Sequence, residues 1–169
     1  RGLIEALIGS TTSDGTKTWA QFGTYNPTLN GSYCPATDNA TSGGVAYVDA
    51  GTGDLSQTWT LPTLPGAFGK SSVAFRVSDG SNFWLAEVRQ GSSTTSGSYT
   101  ATIAKIVAGT TTTVANNSLL SGNLAAADAI EIVAVADRIK LYHNGPLVLD
   151  TGTGQTFNQT ATKVGTFLI

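Results

Sequence analysis

The sequence predicts an all-β fold, an antiparallel two-sheet β-sandwich, on three observations. Residues of high strand propensity gather in short stretches of alternating polarity. Gly, Pro, Asn and Asp separate these stretches at spacings of about 8 to 12 residues, as in sandwiches and barrels. Thr, Ser, Gly and Asn fill much of the rest, and that mixture favours pleated strands and tight turns over long helices.

In chain order, residues 1–18 open with the apolar segment Leu3-Ile4-Glu5-Ala6-Leu7-Ile8, readable as a short helix or a leading strand, and then a turn-rich run. Residues 18–49 are rich in Gly, Asn, Pro and Thr and should carry long loops, with isolated strands at 19–22 and 45–48. Strand signals tighten at 56–61, 72–77 and 83–90. The last two flank Ser78-Asp79-Gly80-Ser81-Asn82, the strongest hairpin signal in the chain. Further strands are expected at 99–107, 111–115, 130–135, 138–143, 147–150 and 163–169. Alternation directs Val73, Phe75 and Val77 to one face and Ala74, Arg76 and Ser78 to the other; Ile139 and Leu141 likewise oppose Lys140 and Tyr142.

A length of 169 residues suits one hydrophobic core. A single domain over 1–169 is therefore expected, with 1–18 as a candidate arm or linker to a longer chain. Since the sequence contains no methionine, it is expected to be a processed product or a piece of something longer. The composition, 40% hydrophobic and 12% charged with a net charge of −2, is that of a folding chain. Lysines and arginines are scattered singly, which argues against nucleic acid as a partner. No apolar run approaches the roughly 18 to 20 residues of a membrane-spanning helix, so no membrane insertion is expected. One cysteine, Cys34, and one histidine, His143, allow no internal disulfide and no structural zinc site.

The second half carries a resemblance. The order Val73-Ala74-Phe75-Arg76-Val77-Ser78-Asp79, Asn82-Phe83-Trp84-Leu85, Tyr99 to Val107, Ala127-Asp128-Ala129-Ile130-Glu131-Ile132, Asp137-Arg138-Ile139-Lys140-Leu141-Tyr142-His143-Asn144-Gly145 and Lys163-Val164-Gly165 resembles laminin-G-like and concanavalin A-like jelly rolls. The versions in bacteriophage minor tail and fibre proteins are the most similar. The resemblance covers about residues 56 to 169 and implies a virion or extracellular setting, symmetric self-assembly with other virion proteins, and often sugar binding.

Glycoside hydrolases built on that fold place acid and nucleophile at alternate positions of one strand. Here Glu5, Glu87 and Glu131 stand alone, and the aspartates lie mostly in turns, where they cap backbone groups. No enzyme is expected, and His143 reads as a solvated strand-end histidine. No cofactor or metal is expected. Asp38-Asn39 and the 49–54 turn could offer oxygens to calcium, but no clustered acidic loop supports a site. Trp19, Trp59, Trp84, Tyr99 and Tyr142 are the aromatics able to stack on a sugar ring. In the strand from Phe83, Trp84, Ala86 and Val88 should face the core, leaving Phe83, Leu85, Glu87 and Arg89 on the other side. Arg76, Glu87, Arg89 and Tyr142 are then the candidate ligand-binding face, although a cross-strand charge ladder gives the same pattern. The expected function is a non-enzymatic virion surface module for assembly or host-glycan binding, with a carbohydrate-binding module of a secreted protein as the alternative.

Overall fold

The computed structural model describes residues 4–6, 16–18, 20–22, 28–30, 44–61, 67–92 and 97–168. Among these residues every regular element is a strand. They are β1 (Ile4–Ala6), β2 (Ala20–Phe22), β3 (Thr28–Asn30), β4 (Gly44–Asp49), β5 (Leu55–Thr60), β6 (Lys70–Asp79), β7 (Asn82–Gln90), β8 (Ser98–Val107), β9 (Thr110–Ser121), β10 (Ala129–Val135), β11 (Arg138–His143), β12 (Leu147–Asp150) and β13 (Lys163–Leu168). The opening apolar segment thus contributes a strand. β3 falls in a stretch that sequence alone assigns to loop, and β9 runs past its expected end at 115.

Two sheets form the sandwich. The larger has the order β2-β4-β13-β6-β7-β8-β9, the smaller β12-β11-β10-β5, and β1 pairs with β3 in a separate ribbon. All these pairings are antiparallel. The turns have the chemistry that tight hairpins demand: Asn144 and Gly145 both sit at positive φ between β11 and β12.

The main core lies between the sheets. Val73, Phe75, Trp84, Ala86, Val88 and Ile103 of the larger sheet meet Ile130, Ile132, Ile139 and Leu141 of the smaller one. Trp84 stacks on Phe75 with ring centroids 6.3 Å apart, and its Nε1 donates to the Phe157 carbonyl at 2.7 Å. A second cluster of Ala74, Val77, Phe83, Leu85 and Ile106 occupies the opposite face of the larger sheet. That sheet therefore buries apolar groups on both faces, as the alternation of β7 predicts for Trp84 against Phe83.

The alternation expected for β6 holds only as far as Phe75. Arg76 has φ of +48°, and the pairing with both β7 and β13 shifts register there. The extra residue of a bulge resets the period, so Val77 lies with Ala74 rather than with Phe75. Arg76 turns inward and is 0% exposed. Its Nε donates to the Gly53 carbonyl at 2.8 Å and its Nη2 to the Ala136 carbonyl at 2.7 Å, with Asp54 at 3.4 Å. One side chain thereby ties the entry to β5 and the β10–β11 turn to the larger sheet. At this junction the backbones approach so closely that a Cβ on Gly53 would lie 2.1 Å from the Gln159 carbonyl oxygen.

Candidate functional site: a cleft on the outer face of the larger sheet

The outer face of β6 to β9 forms a cleft of about 650 Å³. Its chemistry changes along the strands. At one end Phe83 and Ile106, paired across β7 and β8, make an apolar floor with Leu85 and Ala104 beside them. Farther along, Glu87 stands opposite Ser72 on one side and Thr102 on the other, and Thr102 in turn faces Asn116. A carboxylate, hydroxyls and an amide thus cross the sheet in one row. Beyond them Lys70 and Arg89 are directly opposed. Lys70 Nζ is 3.5 Å from Glu87 Oε2, and the Arg89 guanidinium lies over the Phe68 ring, 5.3 Å from its centroid. With a rise of about 3.3 Å per residue, Phe83 to Arg89 spans roughly 20 Å.

A bulge aims Asn116 into this row. The β8–β9 register shifts between Ile103 and Ala104, and both Val114 and Ala115 consequently pack on the main core. The next residue, Asn116, then falls on the same face as Thr111 and Thr113. Strict alternation from Thr111 would have sent it inward. No local signal in the Thr-rich run marks the extra residue, so sequence reasoning misses Asn116. It misses Thr102 and Lys70 because only the pairing of β8 and β6 with β7 sets them beside Glu87 and Arg89.

The aspartates behave as turn residues. Asp49, Asp54, Asp79, Asp128, Asp137 and Asp150 each accept a backbone N–H, from Gly51, Ala136, Ser81, Ala125, Gly154 and Gly152 respectively. Among the described residues no three His, Cys, Asp or Glu groups gather as metal ligands. Asp49 and Asp54 serve the backbone, and Asp54 also faces Arg76; Cys34, Asp38, Asn39 and Trp19 lie outside the described residues.

On the smaller sheet, the Asp150 carboxylate takes a two-point ion pair from Arg138, with Nε 2.9 Å from Oδ1 and Nη2 against Oδ2. The Arg138 hydrogen bond, with the Gly152 N–H, holds the Asp150 pKa down at about 2. Because the folded value is depressed, the pair contributes stability above the ordinary carboxylate pKa and loses it as pH falls through about 2. Carbon-detected NMR should therefore find Asp150 titrating near that value, and Arg138→Gln should return it towards 3.8; an unshifted midpoint in the unmodified chain would show the pair to be absent in solution.

Of solved structures, the chain is similar to the carbohydrate-binding module CBM66 from Bacillus subtilis, with a TM-score of 0.53 and 16% identity over 99% of this chain and 89% of that one. The fold is a concanavalin A-like jelly roll. A Bacillus licheniformis β-glucanase is also similar, with a TM-score of 0.43 and 16% identity over 92% of this chain and 65% of that one. No family model and no curated protein matches the sequence.

Within this jelly roll the four nominated binding residues separate. Glu87 lines the cleft, and Arg89 shares its face of β7. Arg76 does not join them, because its bulge drives it into the interior. Tyr142 belongs to the other sheet, paired with Glu131 on the outer face of β10 and β11, where Ser56 donates to Glu131 at 2.6 Å. A shared face cannot be read from alternation when the strands belong to different sheets. Of the aromatics, Trp84 and Tyr99 are buried, whereas Trp59 and Tyr142 are partly exposed.

His143 also departs from expectation: its side chain is 14% exposed rather than solvated. Nδ1 meets the Tyr99 hydroxyl at 2.7 Å and Nε2 meets Asp128 Oδ2 at 2.9 Å, joining β8 of one sheet to β11 of the other. Burial would raise the Asp128 pKa, but bonds from Asn144, the Ala125 N–H and His143 outweigh it and hold the group below its ordinary value. With Tyr99 itself buried at 3% exposure, this network is an inter-sheet tie.

Proposed function

We propose that this chain is a non-catalytic glycan-binding module of an extracellular or virion surface. One observation carries the reading: on the outer face of the larger sheet a cleft is lined by the Glu87 carboxylate, the hydroxyls of Thr102, Thr111 and Thr113 and the Asn116 amide, over a buried apolar layer of Phe83, Leu85 and Ile106. Sugar rings present a rim of hydroxyls, and a site for them needs a few placed donors and acceptors of this kind. The carbohydrate-binding module that shares the jelly roll supports the same reading.

The chemistry of hydrolysis points the other way. Glycosidases use two carboxyl groups about 5 to 9.5 Å apart across the scissile bond. Glu87 is the one carboxylate among the described residues lining the cleft, with no second acid there to pair with it. On a virion the module would self-associate beside other virion proteins, and on a secreted protein it would hold its partner domain to a glycan surface.

Affinity electrophoresis of the chain through gels cast with a panel of soluble polysaccharides tests the proposal. Retardation is expected with at least one polymer. Asn116→Ala and Thr102→Val should each weaken it about two- to tenfold, the worth of one hydrogen bond of ~0.5–1.5 kcal/mol. Free mobility in every gel would sink the reading, and release of reducing sugar from a retained polymer would overturn its non-catalytic part.

A further inference from the structure

We propose that the cleft takes an acidic glycan, with Arg89 and Lys70 as the pair that binds its carboxylates and Phe68 as the apolar platform beside them. This deepens the glycan reading above and rests on it.

The first argument is charge placement. Lys70 and Arg89 are directly opposed on antiparallel strands, an arrangement that disfavours the sheet for like charges. Glu87 offsets Lys70 at 3.5 Å. Among the described residues Arg89 makes no ion pair; its guanidinium lies over the Phe68 ring, 5.3 Å from its centroid. A guanidinium stacked by its face keeps its in-plane N–H donors for another partner, and a planar carboxylate matches that fork in a bidentate fashion. Nor does the pair belong to a generally basic surface, since the chain carries a net charge of −2.

The second argument is Phe68. It is 54% exposed and holds φ of +58°, a conformation that bulky residues avoid. Its N–H donates to the Gly91 carbonyl at 3.0 Å, which keeps the turn against the end of β7. Neither the core nor the turn needs a phenyl ring there, whereas a sugar face beside Arg89 would use one. Thr100, opposite Arg89, and Thr102, opposite Glu87, set hydroxyls next to the cations. A carboxylated sugar held by Arg89 and Lys70 can thus set its ring against Phe68 and its hydroxyls, with those of its neighbours, on the polar row of Thr102 and Asn116.

The test compares matched polymers in affinity gels at about 50 mM salt, where surface charges are only partly screened: polygalacturonate, hyaluronan and alginate, each beside its carboxyl-reduced neutral form. For at least one pair the acidic member should bind about tenfold or more tightly, the worth of a charge-assisted hydrogen bond. Arg89→Gln and Lys70→Gln should each abolish most of that preference, and Arg89→Lys should keep only part of it. Both side chains are exposed, so unchanged urea midpoints will show that the variants fold. Equal binding of acidic and reduced forms, or preference for the reduced forms, overturns this inference and leaves the glycan reading intact. Binding of poly-L-glutamate as tightly as the best acidic polymer overturns it too, by showing a site for charge alone. Failure to bind any polysaccharide, acidic or neutral, overturns both.

Discussion

Arg76→Ala is expected to destabilise the fold by about 2–4 kcal/mol, through the loss of two charge-assisted hydrogen bonds and of the packing of a fully buried side chain. For a domain of this size that is a fall of roughly 5–15 °C in thermal midpoint. The reason lies in what the side chain joins. The carbonyls of Gly53 and Ala136 belong to segments far apart in sequence, and the Arg76 fork satisfies both at 2.8 and 2.7 Å. Burial lowers the guanidinium pKa, and Asp54 acts against that shift, so the charge is held where it is not well solvated. Arg76→Lys should lose most of the stability as well, because one ammonium lacks the fork that reaches separated acceptors.

Two companion variants sharpen the expectation. Arg76→Gly removes the same bonds but relieves the positive φ, and should be less damaging than Arg76→Ala by about 1 kcal/mol. Gly53→Ala puts a methyl group into the Gln159 backbone and must part the two segments. Since it also displaces the carbonyl that Arg76 binds, the double variant should cost less than the sum of the single ones. Midpoints from thermal and urea unfolding decide the matter. An Arg76→Ala midpoint within 1 °C or so of the unmodified chain would mean that the bulge holds this end of the sandwich together without its side chain.

Trp84→Ala should cost about 3–5 kcal/mol, the range for removing a large aromatic from a packed core. Trp84 is the largest fully buried side chain among the described residues and touches the ring of Phe75 and, at a 6.1 Å centroid distance, that of Phe157. Trp84→Phe separates packing from polarity. It keeps most of the aromatic contact but strands the Phe157 carbonyl, and should cost about 1–3 kcal/mol. Near-equal losses for the two variants would assign the stabilisation to the hydrogen bond; a negligible loss for Trp84→Phe would assign it to packing.

Much of the architecture is legible in the residues. The strands from β5 to β13 stand close to their expected positions because period-2 alternation and turn residues are local signals, readable within a few positions. The same logic sorts Trp84 from Phe83 on β7 and Ile139 from Tyr142 on β11, and it assigns the aspartates to turns. The expected binding face fared differently. Glu87 and Arg89 share a face, Arg76 is interior, and Tyr142 is on the other sheet, while Lys70, Thr102 and Asn116 went unnoticed.

Residue patterns alone give the strands from β5 onward, the inward residues of each regular strand and the lack of paired carboxylates in any one strand; β3 is hidden in a Gly- and Asn-rich stretch. The tertiary structure decided which strands share a sheet, and through two bulges it decided which way Arg76 and Asn116 point. Alternation is a property of one strand and says nothing of its neighbours, and a single extra residue reverses it without leaving a mark in the composition. His143 shows the same division: its place at a strand end is local, but its burial depends on Asp128, set beside it by the β10–β11 pairing, and on Tyr99, which only the packing of one sheet on the other brings within 3 Å.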